Sequence, residues 1–341
     1  MKFVDVSHMQ SPLIDLPELT SLGRRLDLDP SRFGFVQPCN HLLDDPVAMR
    51  EFFEAEGYLF MKQLLPREII LDARRSILEA VEAEGQLDAD RDPMDGVVHP
   101  DFLESFTLDA KPTFKGADGA VRNPDRKMAF RPDLGANNPE VKRVVFGPEL
   151  AKFYSRFFGA AVRHFDFIWL RMMGPGKGTA SHCDWVYMGR GSSKLMTCWI
   201  PYGEIPLHVG GLILLERSHL QADRIASYLA QDVDAYCENV PAQVEKVAKG
   251  GGWSHRGWLS TCPESLPEKF ETRWLTCEHW EPGDFITFNM RLIHGSLDNH
   301  SDRVRISTDT RWQPADEPAD DRWIGVNPPG HGLAGKRGRI C

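Results

Sequence analysis

Four His-x-Asp triplets punctuate the chain, at 99–101, 164–166, 182–184 and 300–302. The pattern matters because residues i and i+2 of a strand project from one face, so a single strand end can present an imidazole and a carboxylate together. With a second imidazole from a neighbouring strand, that set makes a facial iron(II) site with three positions left free. A triplet alone says little, since 12 histidines in 341 residues give about one such match by random placement. Context has to choose among the four.

His99-Pro-Asp101 carries a proline in a broken, polar stretch, and His300-Ser-Asp302 is followed only by His331 in a Gly/Pro-rich tail, so both read as surface polar groups. His164-Phe-Asp166 lies inside a β-type run from Val162 to Met173 and suits a hydrogen-bonded structural pair. His182-Cys-Asp184 follows the turn Gly174-Pro-Gly-Lys-Gly178 and precedes Trp185-Val-Tyr187, where a strand would enter the core. The same turn is no phosphate loop: Lys177-Gly178 lacks the following Ser or Thr, and G-x-G-x-x-G is unmet. A hairpin or strand connection explains it.

Downstream, Pro282-Gly-Asp284 turns into a strand at Phe285–Phe288, and His294 stands just before the polar turn Gly295 to Asn299. It is the candidate third ligand. The chain then returns through Arg303, Arg305, Ser307, Asp309 and Arg311, which alternate with Val304, Ile306, Thr308 and Thr310. A strand with one polar face in an enclosed core needs a partner for that face. A guanidinium beside a hydroxyl suits a carboxylate through paired, charge-assisted hydrogen bonds.

These groups must be held by a domain, and the composition allows one. The chain is 42% hydrophobic, with 40 basic against 49 acidic residues and a formal charge of −9. No basic footprint for nucleic acid or an anionic membrane is present, and a small-molecule substrate is the expected partner. Seven cysteines without C-x-x-C spacing predict reduced, structural thiols rather than a disulfide framework or a zinc ribbon. With no apolar leader and no run of 18 apolar residues, the expected location is cytoplasmic. Nothing in the sequence fixes an oligomeric state.

Residues 1–43 read as an irregular arm. Asp45-Pro46 caps a short helix that stops at Gly57, a strand follows at Tyr58–Met61, and Pro66 opens a second helix ending near Gly85. Asn138-Pro139 starts another helical stretch, which continues after Gly147-Pro148 to Gly159. Strand candidates then follow at Val162–Met173, Lys194–Tyr202, Leu212–Glu216, Phe285–Phe288 and Val304–Trp312. Helices first and strands later predict a β-core with helices packed outside. The core domain spans 44–312, with an insertion at about 221–278 and a tail at 313–341 in which Trp323 is the anchor.

Taken in order, these features resemble the phytanoyl-CoA dioxygenase family, which includes ectoine hydroxylase. The carriers are Phe52-Phe-Glu-Ala-Glu-Gly-Tyr-Leu-Phe60, His182-Cys-Asp184, Gly210-Gly-Leu-Ile-Leu-Leu-Glu-Arg-Ser-His219, Pro282-Gly-Asp284, His294-Gly-Ser296 with Asn299, and Arg305-Ile-Ser307. The resemblance implies a double-stranded β-helix, mainly β with flanking N-terminal helices, and an iron(II) enzyme consuming O₂ and 2-oxoglutarate, with ascorbate as the reductant in vitro. It implies His182, Asp184 and His294 as metal ligands and Arg305 as the co-substrate arginine, eleven residues after the last histidine. Ser296 and Ser307 would supply hydroxyls, and Trp199 would line the pocket behind the metal. Two departures, Arg217 in place of the family's glycine before Ser-His and a long gap from Asp184 to His294, leave the substrate open.

Asp184 argues against a halogenase, which replaces that carboxylate, so hydroxylation, desaturation or ring closure remains. An inactive cupin-like binding protein is the alternative from another class, and the absence of G-x-S-x-G disfavours a hydrolase. The insertion carries Tyr228, Tyr236, Trp253, His255, Arg256, Trp258 and Trp274 around Gly250-Gly-Gly252, which suits a closing flap. Trp253, Trp258 and Arg311 are the candidates for substrate contact.

Overall fold

The first helices begin and end at their capping residues. Asp45 accepts from the Val47 and Ala48 amides, Pro46 occupies the first turn, and Gly57 at φ 80° closes helix Pro46–Glu56. Helix Arg67–Ala83 buries Ile69, Ile70, Ala73, Ile77, Leu78 and Val81. Asn138 caps Pro139–Val145, and the next helix, Pro148–Phe158, stops at Gly159. Their apolar faces meet in one cluster with Leu170, Met172, Cys198, Ile200, Ile306 and Trp312, so the helices cover the outer face of a sheet. The computed structural model describes residues 18–106, 129–249 and 257–341.

That sheet has six strands, ordered Tyr58–Met61, Phe285–Asn289, Met196–Pro201, Arg305–Pro314 and Val162–His164, with Trp169–Met173 also paired to Arg305–Pro314. The expected run from Val162 to Met173 is thus two strands. It breaks where Asp166 turns to the tail, its amide donating to the Trp323 carbonyl and its carboxylate accepting from the Gly325 amide. A second sheet orders His294–Ser296, Leu212–Leu215, Trp274–Thr276 and Phe33–Phe35, the last pair parallel. Together they form the expected double-stranded β-helix: an antiparallel core flanked by the N-terminal helices.

Three features depart from expectation. The described part of the arm is structural, since Phe33–Phe35 completes the smaller sheet and Thr20–Ser21 pairs with Arg24–Arg25. The segment expected as an insertion at about 221–278 contains a strand of the core itself, because Trp274–Thr276 lies between two partners in that sheet. Trp274 is therefore no flap residue; it is buried, with its indole N–H donating to the Pro263 carbonyl.

The third departure concerns the thiols. Cys237 and Cys341 form a disulfide, although their positions in sequence give no hint of contact. They meet because Arg337–Arg339 pairs in parallel with Ala235–Cys237. Beside them, buried Asp234 accepts from Arg322, His331 and Lys336, and Trp323, the expected tail anchor, is fully buried. Among the described residues no helix is long and apolar enough to cross a membrane.

Candidate metal centre

His182 and His294 come from distant parts of the chain and meet on an antiparallel bridge. Close approach there depends on glycine: a Cβ on Gly178 would fall 2.5 Å from the Ser296 carbonyl oxygen. Asp298 reinforces the turn beyond, accepting from the amides of Leu22, Gly23 and Gly178 and from the Thr20 hydroxyl. After Cys183 the chain does not continue as a strand, contrary to expectation. It turns into the short helix Trp185–Met188 with Asp184 at its start.

Each imidazole is fixed in the tautomer a metal requires. His182 Nδ1 lies 2.8 Å from the Ala180 carbonyl and His294 Nδ1 lies 3.0 Å from that of Leu292. A carbonyl only accepts, so each Nδ1 carries a proton and Nε2 is the atom turned toward a metal. Asp184 Oδ1 sits 3.6 Å from both Nε2 atoms, and one ligand atom from each of the three residues lies within 4.8 Å of the others. Two imidazoles and one carboxylate on one side of a cavity are the donor set of a non-haem iron(II) centre.

The electrostatics agree with that chemistry. Burial, reinforced by the neighbouring His182, pushes His294 down to about 4, so its ring is neutral and available at neutral pH. Burial alone would raise Asp184, but the Arg311 guanidinium and the two histidines outweigh it and hold the carboxyl well below its ordinary range. Asp184 is thus a carboxylate although only 3% exposed.

Three arginines line the cavity beside the ligands: Arg171, Arg305 and Arg311. The alternation expected for Arg305–Pro314 holds, with Ile306 and Trp312 in the helix-covered core and Arg305, Asp309 and Arg311 facing inward. Arg171 Nε donates to Asp309 Oδ2 at 2.7 Å. Arg311, expected at the substrate, instead donates from Nη2 to Asp184 Oδ2 at 2.7 Å. It reaches that oxygen because it is paired across the sheet with Thr197, whose hydroxyl donates to the same atom at 2.6 Å.

Arg305 differs from both neighbours. Its hydrogen bond among the described residues runs from Nη1 to the Gly210 carbonyl at 2.6 Å, and its buried Nε has no partner. Burial and the charge of Arg171 push it down to about 10, which marks a cation short of an anion. Ser296 and Trp199 line the same cavity; the Ser296 hydroxyl accepts from the Thr179 amide and keeps its own proton to donate. Among the described residues the buried Ser307 hydroxyl has no hydrogen-bond partner. Trp258 is partly buried, and Trp253 lies outside the described residues.

The other triplets are not brought to any such site. His164 and Asp166 are partly exposed and His164 stacks on Phe146, while His300 hydrogen-bonds Thr20 near the surface. Sequence reasoning missed Thr197, Arg171 and Asp298. The lone arginine in the otherwise apolar strand Trp169-Leu-Arg-Met-Met173 was a usable signal for Arg171.

Comparison with known proteins agrees with this geometry. A family model described as Phytanoyl-CoA dioxygenase (PhyH) matches residues 53–307. The 1-deoxypentalenic acid 11-beta-hydroxylase of Streptomyces exfoliatus is 27% identical over 288 residues, covering 81% of this chain and 84% of that protein. EctD from S. alaskensis, solved with 2-oxoglutarate and 5-hydroxyectoine, has a TM-score of 0.51 at 16% identity, covering 94% of this chain and 98% of that one. The carbocyclase SnoK from nogalamycin biosynthesis has a TM-score of 0.50 at 16% identity over 79% and 84%; both structures share the fold. With a matched span of well over half its length and the facial triad His182, Asp184 and His294 in place, the chain belongs to the phytanoyl-CoA dioxygenase family of iron(II)- and 2-oxoglutarate-dependent oxygenases.

Proposed function

We propose that this protein hydroxylates a small organic acid, consuming O₂ and 2-oxoglutarate and releasing succinate and CO₂. The observation that carries the co-substrate reading is the contrast among the three arginines: Arg171 and Arg311 each hold a carboxylate of the protein, whereas among the described residues Arg305 holds a carbonyl. A buried guanidinium without an anion is costly, and a dicarboxylate ligand supplies what it lacks.

Bound iron(II) would supply the redox-active centre and the open coordination face at which dioxygen reacts, with the electrons drawn from 2-oxoglutarate and the substrate. His182, Asp184 and His294 hold it. Arg305 takes the distal carboxylate of 2-oxoglutarate, Ser296 donates its hydroxyl proton to the same group, and Trp199 closes the wall against water. Ser307 offers a second hydroxyl on the Arg305 strand. Hydroxylation is favoured among the oxidations open to this family because the matched Streptomyces protein is a hydroxylase, and its substrate is an acid.

The test is a panel of small carboxylic acids incubated with protein, iron(II), ascorbate and 2-oxoglutarate. Oxygen-dependent succinate release, stimulated by one acid and matched by its hydroxylated product, is the expected result. Iron-loaded protein that binds 2-oxoglutarate yet forms no succinate with any acid would reduce it to a binding protein.

A further inference from the structure

Asp184 offers its two oxygens to very different surroundings. Oδ1 faces the Nε2 atoms of both histidines at 3.6 Å. Oδ2 turns away and accepts two hydrogen bonds, from Thr197 Oγ1 at 2.6 Å and from Arg311 Nη2 at 2.7 Å. A carboxylate oxygen has about two lone-pair sites, so these donors leave Oδ2 none for a metal.

Both donors are rigidly mounted. Thr197 and Arg311 are cross-strand partners at the centre of the larger sheet, and both are 1% exposed or less. The guanidinium carbon of Arg311 lies 4.4 Å from the centre of the Trp169 ring, which fixes its plane. Among the described residues Arg311 Nε and Nη1 are buried without hydrogen-bond partners, and its ion pair is with Asp184.

We infer that Thr197 and Arg311 are positioning residues that restrict Asp184 to one-oxygen ligation of the metal, thereby keeping a coordination position free for the co-substrate. The inference rests on the metal-site reading above. An octahedral ion with two imidazoles and one carboxylate oxygen has three positions left, which is what a chelating keto acid and dioxygen together require. A carboxylate bound through both oxygens would leave two.

The consequence separates positioning from mere support. Arg311 draws electron density from Asp184 and so weakens it as a donor. Removing either hydrogen bond should therefore leave metal affinity equal or tighter while weakening 2-oxoglutarate, because the freed oxygen competes for the same position. A site that had simply loosened would lose both.

The experiment is anaerobic titration of the full chain with Co(II), then with 2-oxoglutarate, followed by the cobalt d–d absorption and by calorimetry. Thr197→Val is nearly isosteric and tests the hydroxyl without removing a charge; Arg311→Met tests the guanidinium; Thr197→Ser restores the hydroxyl. Thr197→Val and Arg311→Met should bind Co(II) at least as tightly as wild type, with an altered d–d spectrum. Their 2-oxoglutarate dissociation constants should rise measurably above that of the wild type, and Thr197→Ser should behave as wild type. Unchanged spectra and 2-oxoglutarate affinities in both variants would overturn the inference, as would parallel loss of Co(II) and 2-oxoglutarate. Failure of the wild-type chain to take up Co(II) would instead remove the metal-site reading beneath it.

Discussion

His182 and His294 exchange both backbone hydrogen bonds, each amide donating to the other's carbonyl at 2.9 Å. This directly opposed pair sets the two imidazoles side by side, with ring centres 4.2 Å apart, before any metal arrives. The site is therefore preorganised by the sheet, and the metal need not fold it.

A metal titration checks this. Anaerobic protein with iron(II) and 2-oxoglutarate should give a weak visible charge-transfer band, and His182→Ala or His294→Ala should abolish it. The far-ultraviolet circular dichroism of both variants should be unchanged, since an alanine still makes the backbone bridge. Full iron affinity in both would overturn the ligand assignment.

Arg305→Ala should leave iron binding intact and weaken 2-oxoglutarate by about 2 to 5 kcal/mol, the range for truncating one side of a buried, hydrogen-bonded charge pair. Calorimetry on the iron-loaded protein measures it. An equal loss in Arg171→Ala, with Arg305→Ala unaffected, would assign the co-substrate carboxylate to the other arginine.

The tail gives a pH prediction. Burial alone would raise Asp234, but hydrogen bonds and charge from His331 and Lys336 bring it down to about 2 from an ordinary 3.8. The folded state then binds fewer protons than the unfolded one between those values. The stabilisation is complete above about pH 4 and fades as pH falls toward 2, amounting to roughly 2 kcal/mol. Asp234→Asn should remove this acid dependence and lower stability at neutral pH, because Lys336 loses its carboxylate while Arg322 keeps its pair with Asp320. Urea unfolding at several pH values would reveal both effects.

Tyr228 links the excursion to the metal segment. Its hydroxyl donates to the Gly257 carbonyl at 2.7 Å and accepts from the Cys183 amide at 3.0 Å, between two of the ligands. Tyr228→Phe removes both hydrogen bonds and takes this acceptor from the Cys183 amide, at a cost of about 1 to 3 kcal/mol. If the excursion closes over the site, this variant and Trp258→Ala should consume 2-oxoglutarate without matching product. Intact coupling with reduced stability alone would make the segment purely structural.

The site was legible in the sequence because its chemistry is local. A turn before His182-Cys-Asp184, a turn after His294, and a strict alternation through Arg305 and Arg311 each reflect short-range geometry. Alternation tells which face a side chain occupies but not what stands opposite, so Arg311 looked available to substrate while Asp184 already held it. The capped helices were readable for the same reason. The strand Trp274–Thr276 was not, being three residues inside a polar, aromatic-rich stretch whose partners, Leu212–Leu215 and Phe33–Phe35, lie far away in the chain. Contacts of that kind leave no periodic trace.

The Cys237–Cys341 link encloses every residue between them, including His294 and the whole strand Arg305–Pro314. A protease that cuts once anywhere inside this covalent loop therefore cannot release a fragment. The nicked chain should keep its third metal ligand and its co-substrate arginine tethered, migrating as one species without reductant and as two with it.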